Sequence, residues 1–447
     1  MESSKFNRIK NVFDCSDNCY NMERGDCMNS LGERIKQFRK RKKMTLAEVA
    51  GDRLTKGMLS LIENGKAQPS MESLRYIAER VGVDVSDLLD DGDIEELRTL
   101  LMEIEEQYKS IFHPYEPKAK AKLVRMREKI LRKKEELQGK KYEEIRLLDY
   151  FTRIDAILNG EQEELTMFDV IGFYEKIHAY SRMIDCYAFL SGLAYTRNDY
   201  KIALQFMQDA EQKIQPYRHL IDFMAMLDLH YLLTVLYTAV DDPVNTQKHL
   251  ELALEIAHKH KIYYRMDDFY RFTLIQAIGQ GDKEKSSYYL MKLTQHADFT
   301  EDKMAISTLA FANAHFANII EKDYKKVPGF SKYLILDGLA EEEVIDFALL
   351  FHMEEAYAYW ALDEFKKSLE ISESFTIPPY VHHPLDLSIM YRSFAVRALC
   401  FYETGNRDAA KSEILFAYHG VTEFPNSIYK KFVQEAYEKI QYGKRVK

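Results

Sequence analysis

With 447 residues and a formal charge of −9, the chain is long enough for two or more domains and a sizeable core. Its 18 glycines and 10 prolines are about half the share of an average soluble protein, so an all-α fold is expected. No run of roughly 18 apolar residues occurs to span a membrane. The cysteines at 15, 19, 27, 186 and 400 are odd in number and scattered, which does not suit a disulfide framework; a reduced, cytoplasmic protein is expected.

Residues 1–27 are read as an N-terminal extension without stable structure, and Met28 as the physiological start. Cys15, Cys19 and Cys27 have no C-x2-C spacing and no nearby histidine, so no metal site is expected. From residue 30, SLGERIKQFRKRKK places Leu31, Ile35 and Phe38 on one helical face and leaves Arg34, Lys36 and Arg39 to Lys43 mostly in solvent. Thr45 to Lys66 reads as two short amphipathic helices joined by a tight turn. The segment PSMESLRYIAERVGV then repeats the apolar spacing at Leu74, Ile77, Ala78 and Val81. Between Met28 and Lys66 stand ten Lys or Arg against four Asp or Glu, a local positive excess of the kind that phosphates attract.

Leu31 to Leu89 resembles the helix-turn-helix domain of the phage-repressor-like family, with LAEVA on the first helix of the motif, LTKGMLSLIENG on the second and PSMESLRYIA after it. The resemblance implies that the second helix enters the major groove of DNA. By position, Thr55, Lys56, Gly57 and Leu61 would face bases, and Thr45, Asn64 and Lys66 would hold phosphates. It also implies a structural ion pair between Arg39 and Glu63. Gly57 departs from the side chain usual in the family.

Beyond DDGD at 90–93, a connecting helix carries an apolar stripe at Leu97, Leu100, Leu101, Ile104 and Tyr108 and ends before Pro114 and Pro117. The segment from 118 to 141 has eleven basic and three acidic residues. It is read as the solvated face of a helix anchored by Leu123, Met126, Ile130 and Leu137, with a second DNA contact as the alternative.

Seven turn signals then recur about every 40 residues: Asn159-Gly160, Asn198-Asp199, Asp241-Asp242, Gly281-Asp282, Lys322-Asp323, Leu362-Asp363 and Gly405-Asn406. Helix pairs on such a period stack as a solenoid. Segments such as FLSGLAYTRNDYKIALQFMQDAEQKIQP, with Gly192, Tyr195, Ala203, Met207 and Ala210, look like lengthened tetratricopeptide repeats, and SIYKKFVQEAYEKIQYG like a capping helix. The expected fold is therefore all-α: an N-terminal repressor-like helix-turn-helix domain followed by a right-handed tetratricopeptide-repeat solenoid. Its parts are the extension 1–27, the DNA-binding domain 28–92, connecting helices 93–140 and the repeats 141–447.

A concave face lined by first helices would suit an extended peptide, held by amides, cations and aromatic walls. The candidates there are Arg153, His230, Tyr231, Tyr270, Arg271, Asn313, Arg392 and Arg397. Enzyme signatures are absent: there is no phosphate-cradling glycine loop, no H-E-x-x-H and no nucleophile elbow. No cofactor is expected, and the histidines at 258, 260, 382 and 383 are read as solvated loop or helix-end residues.

A repressor-like head followed by a tetratricopeptide array is similar to the peptide-pheromone-responsive regulators of Gram-positive bacteria, the Rap/Rgg/NprR/PlcR/PrgX family, and most of all to its NprR-type members. The resemblance implies a quorum-sensing transcriptional regulator, with double-stranded DNA, a short signalling peptide and further copies of itself, as dimer or tetramer, for partners. A role in sporulation belongs to the same expectation. Two alternatives stay open: a response-regulator-binding protein or phosphatase of Rap type, with Gln107, Gln138 and Gln162 to position water, and a constitutive repressor whose repeats only oligomerise.

Overall fold

Hydroxyl side chains set the starts of the short N-terminal helices. Thr45, Thr55 and Ser70 each accept a hydrogen bond from the backbone N–H three residues on, at 3.2, 3.1 and 3.2 Å, satisfying donors that a helix leaves unpaired at its start. They begin α2 (Leu46–Ala50), α3 (Lys56–Glu63) and α4 (Met71–Val81), which follow α1 (Leu31–Arg41). Glu48 answers Thr45 by accepting from its N–H, a complete capping box. The expected stripes meet: Ile35, Leu74, Ile77, Ala78 and Val81 are buried together with Val49, Leu59 and Ile62, and Leu31 and Phe38 pack on their edge. At Gly32 an added Cβ would lie 2.2 Å from the carbonyl oxygen of Ile62, so α1 and α3 approach backbone to backbone.

The structure, a computed structural model, describes residues 31–64, 66–67, 69–85, 88, 92–111, 117–160, 165–335 and 341–443. The cysteines at 15, 19 and 27, with Pro114 and Gln162, lie outside them. Residues 1–106 and 107–447 form two compact units, divided in the last turn of α5 (Gly92–Lys109). Among the described residues there is no strand, and no helix is long and apolar enough to cross a membrane.

The second unit opens with α6 (Pro117–Leu131), where proline takes the first position, whose N–H a helix does not use. Leu123, Met126, Ile130 and Leu137 are its buried anchors. Paired helices follow: α7 (Tyr142–Asn159) with α8 (Met167–Lys176), α9 (Tyr180–Tyr195) with α10 (Tyr200–Ile214), α11 (Phe223–Ala239) with α12 (Pro243–His260), and α13 (Met266–Gln280) with α14 (Lys283–Thr300). α15 (Lys303–Phe316) runs into a π-helical turn, Ala317–Glu321; then come α16 (Glu341–Ala361) with α17 (Phe365–Ser372), α18 (Pro384–Glu403) with α19 (Arg407–Val421), and the final α20 (Ile428–Tyr442).

Each of the seven expected turns contains one residue of positive φ: Gly160, Asn198, Asp241, Gly281, Lys322, Asp363 and Gly405, with φ between 56° and 90°. Gly, Asn and Asp adopt this conformation most readily, which is why these turns could be read locally. The pair beginning with α15 departs from the pattern. Its second member is a 3-10 segment, Tyr324–Tyr333, with Pro328 inside, and a proline there has no N–H for an α-helical bond.

The link before α18 returns to much earlier helices. Tyr200 Oη donates to the carbonyl of His382 at 2.7 Å. Leu385 N–H donates to His383 Nδ1, which leaves Nε2–H to donate to the Val235 carbonyl at 3.3 Å. The His382 and His383 rings meet Tyr195 and Phe272 edge-on. His383 is thus a helix-end residue, the cap of α18, but at 6% exposure it is buried, which corrects its reading as solvated: partners more than a hundred residues upstream cover it.

Candidate functional site

In the first unit, Arg39 reaches from α1 to the C-terminal end of α3. Its Nε and Nη2 donate to the two carboxylate oxygens of Glu63 at 2.6 and 2.7 Å, and Nη1 donates to the Met44 carbonyl at 3.0 Å. This is the expected ion pair, in the two-pronged geometry that arginine allows. It fixes α3 against α1 from beneath and leaves the opposite face of α3 to solvent.

Thr45, Thr55, Lys56, Gly57, Leu61, Asn64 and Lys66 are all exposed. Lys56 is the first residue of α3 and Asn64 its C-terminal cap, with the Asn64 amide donating to the Ser60 carbonyl at 2.7 Å. Leu61 is 44% exposed and Met58 45%, two apolar side chains that the core of the unit does not use. Beside Gly57 an added Cβ would meet nothing nearer than Thr55 Oγ1 at 3.9 Å, so packing does not require the glycine.

In the second unit a cavity of about 980 Å³ opens between α13, the π turn, α16, α18 and α20. Tyr324, Tyr357, Trp360 and Phe432 are among its walls, and Asn318, Arg392 and Tyr429 line it too. Beneath it lies a buried polar cluster centred on Glu354. Glu354 accepts from His315 Nδ1–H at 2.8 Å, from the Asn318 amide at 2.8 Å and from Arg392 Nη2. His315 Nε2 then accepts from the Tyr429 hydroxyl at 2.7 Å. Burial alone would raise the Glu354 pKa, but the Arg392 charge and the bonds from His315 and Asn318 outweigh it and hold the carboxylate down at about 2. Burial keeps His315 neutral by lowering its pKa.

This cluster leaves groups unused. Arg392 Nε and Nη1 and Asn318 Oδ1 are buried without a hydrogen-bond partner. The residues line the cavity while these atoms lie buried beneath its surface; once the wall opens they are complementary to the C=O and N–H of a peptide group. The π turn that carries Asn318 is a rare conformation, frequent at functional sites.

Of the sequence-derived peptide candidates, this cavity takes in Arg392 alone. Arg153 is bound to Asp149 and stacks on Phe189. His230 is buried against His249. Tyr231 packs edge-on to Phe269 beneath Arg265, and Tyr270 lies beside Tyr289 and His296. Arg271 faces Asp268 at 3.3 Å, and the Asn313 amide donates to the Leu309 carbonyl at 2.8 Å. Arg397 is held by Glu413 and the Ser372 carbonyl. Gln138 accepts from Lys140 at 2.7 Å. Asn318, Glu354, Tyr357 and Tyr429 are not legible in the sequence because the π turn, α16 and α20 that carry them lie far apart in it; Trp360, the one tryptophan, is the available signal.

The class is set by the two units in chain order: a helix-turn-helix unit followed by a unit of paired helical repeats. Residues 35–88 match the family described as Helix-turn-helix. Along 333 residues the chain is 24% identical to the transcriptional activator NprA of Geobacillus stearothermophilus, covering 71% of this chain and 75% of that protein. Among solved structures it is similar to PlcR of Bacillus thuringiensis in complex with the peptide PapR7 and DNA, at 14% identity and a TM-score of 0.33, over 68% of this chain and 98% of that one. It is also similar to the apo competence regulator ComR of Streptococcus vestibularis, at 20% identity and a TM-score of 0.30, over 64% and 97% of the two chains. The chain is thus similar over most of its length to a transcriptional activator.

Proposed function

We propose that the chain is a quorum-sensing transcription regulator that binds DNA through α3 and is switched by a short signalling peptide held in the repeat unit. Residues 28–92 serve as the DNA head, 93–140 as the connection and 141–447 as the peptide-binding and self-associating part. It works in the cytoplasm, where DNA and an imported peptide meet. The similarity to a transcriptional activator over three quarters of its length supports the regulatory reading. The observation that carries the peptide reading is the aromatic-walled cavity in which Arg392 and Asn318 hold unused donors and an unused acceptor.

Switching requires the peptide to prefer one arrangement of the protein over another. A shift from mostly off to mostly on needs roughly 10⁴-fold differential affinity, about 5.5 kcal/mol. Calorimetric titration of the full chain with synthetic peptides from the C-terminal end of small secreted precursors encoded beside its gene tests this, followed by sizing and DNA titration. The expected result is one peptide per chain, a changed oligomer or DNA affinity, and at least ten-fold weaker peptide binding in Trp360→Ala with DNA binding retained. No binding by any such peptide, or binding indifferent to Trp360→Ala, would overturn the cavity assignment.

A further inference from the structure

A second group of unsatisfied polar atoms lies well away from this cavity, where three consecutive helices meet. Glu211 on α10, His230 on α11 and His249 on α12 bring one potential ligand atom each to within 4.8 Å of one another. His230 is 1% exposed and His249 fully buried, while Glu211 is half-buried. The two Nδ1 atoms face each other at 3.0 Å. Both Nε2 atoms are buried with no hydrogen-bond partner.

Two neutral imidazoles sharing one Nδ1 proton must be opposite tautomers, and the contact aims both Nδ1 positions at one point. A cation there would take the place of the shared proton and leave each Nε2 as a buried N–H, so the Nδ1 contact with Glu211 nearby, not the Nε2 atoms, defines the site. Histidine binds metal through a bare ring nitrogen, and the Glu211 carboxylate adds the negative charge that two imidazoles lack.

We propose that Glu211, His230 and His249 form a binding site for one divalent cation of the zinc class, stapling α10 to the helix pair that follows it. Two imidazole nitrogens and one carboxylate oxygen, with a fourth position for water, form a donor set suited to zinc and unlike the all-oxygen sets of magnesium or calcium. In a tetrahedral zinc site with bonds of roughly 2.0–2.1 Å, nitrogens stand roughly 3.3–3.4 Å apart. The rings need open by only a few tenths of an ångström from their 3.0 Å contact. Tyr237 stacks on His249, and its hydroxyl accepts from Gln208 at 3.0 Å, so the ring is already oriented. The inference is independent of the peptide reading, since none of these residues lines that cavity.

The test uses the full chain, stripped with a chelator and titrated with zinc against a chromophoric competitor, with cobalt(II) absorption to report four-coordinate binding. One zinc per chain is expected, with a higher melting temperature on loading. Glu211→Gln and His249→Gln should each weaken binding roughly ten-fold or more and abolish the thermal shift. The control variant with His258→Gln and His260→Gln should behave as the parent. If His249→Gln fails to fold, Glu211→Gln at its half-exposed position gives the same readout. No zinc taken up at micromolar free metal, or uptake unaltered by Glu211→Gln, would overturn the site and leave the two histidines as a neutral contact between helices.

Discussion

Lys56 and Lys66 sit near opposite ends of α3, both exposed, and we propose different work for them. Lys56 occupies the first helical position, beside the open space at Gly57, where a long side chain can reach a base edge. Lys66 follows the cap at Asn64 and suits a phosphate. Lys56→Ala is expected to cost roughly 1–3 kcal/mol on the preferred operator and relax specificity at one base, whereas Lys66→Ala weakens all sequences alike and lowers the salt slope by about 1. Binding isotherms at several salt concentrations on specific and random DNA distinguish them, and identical behaviour of the two variants contradicts the assignment. In the repeats, Glu354 gives acid sensitivity. Its folded pKa of about 2 lies below its ordinary 4.5, so it contributes stability that is complete above about pH 4.5 and lost as pH falls toward 2. His315, lowered from 6.5, resists protonation when folded and adds a loss that begins below about pH 6.5. Urea unfolding at stepped pH should show the midpoint falling through this window; a flat profile from pH 6.5 to 3 would contradict it.

Glycines separate the demands of turns from those of helices. Gly281 ends α13 with φ of 72° and nothing within 4 Å of an added Cβ, so only its backbone conformation resists substitution. Gly281→Ala should destabilise by about 1–2 kcal/mol. Gly192 lies inside α9 with equally open surroundings and ordinary helical backbone, and Gly192→Ala should stabilise by about 0.5–1 kcal/mol. Thermal melts of both variants check the pair, and shifts of the same sign would refute the argument. The same distinction explains what the sequence disclosed. Turns made by Asn198, Asp241 or Gly405 follow from residues within three or four positions of the feature. The cluster around Glu354 draws on His315, Asn318, Arg392 and Tyr429, and no local pattern connects residues that far apart. Arg392 was singled out as a cation on a first helix; that two of its donors would remain unused was legible only once the helices were packed.

Two compact units in one chain imply two cooperative transitions. Scanning calorimetry of the full chain should resolve them, and a peptide held by the repeats should raise only the transition of residues 107–447, by about 2.7 kcal/mol at a hundred times its dissociation constant. A single transition shifting as a whole would contradict this. Within the repeat unit, the return of His382 and His383 to Tyr200 and Val235 joins residues 182 and 148 positions apart. Stacked repeats ordinarily touch only their neighbours, so their ends can fray one at a time and folding can start anywhere. Here α18 begins on a footing supplied by α10 and α11, and neither end can loosen without releasing the other. Such a clasp closes late, after the helices it joins have formed, and it slows folding by the entropy of closing a long loop, a cost that grows with the logarithm of the chain it encircles. Removing the chain from His382 onward would therefore expose Tyr200 and Val235 as well as the cut end, and the damage would be felt nearly two hundred residues upstream of the truncation.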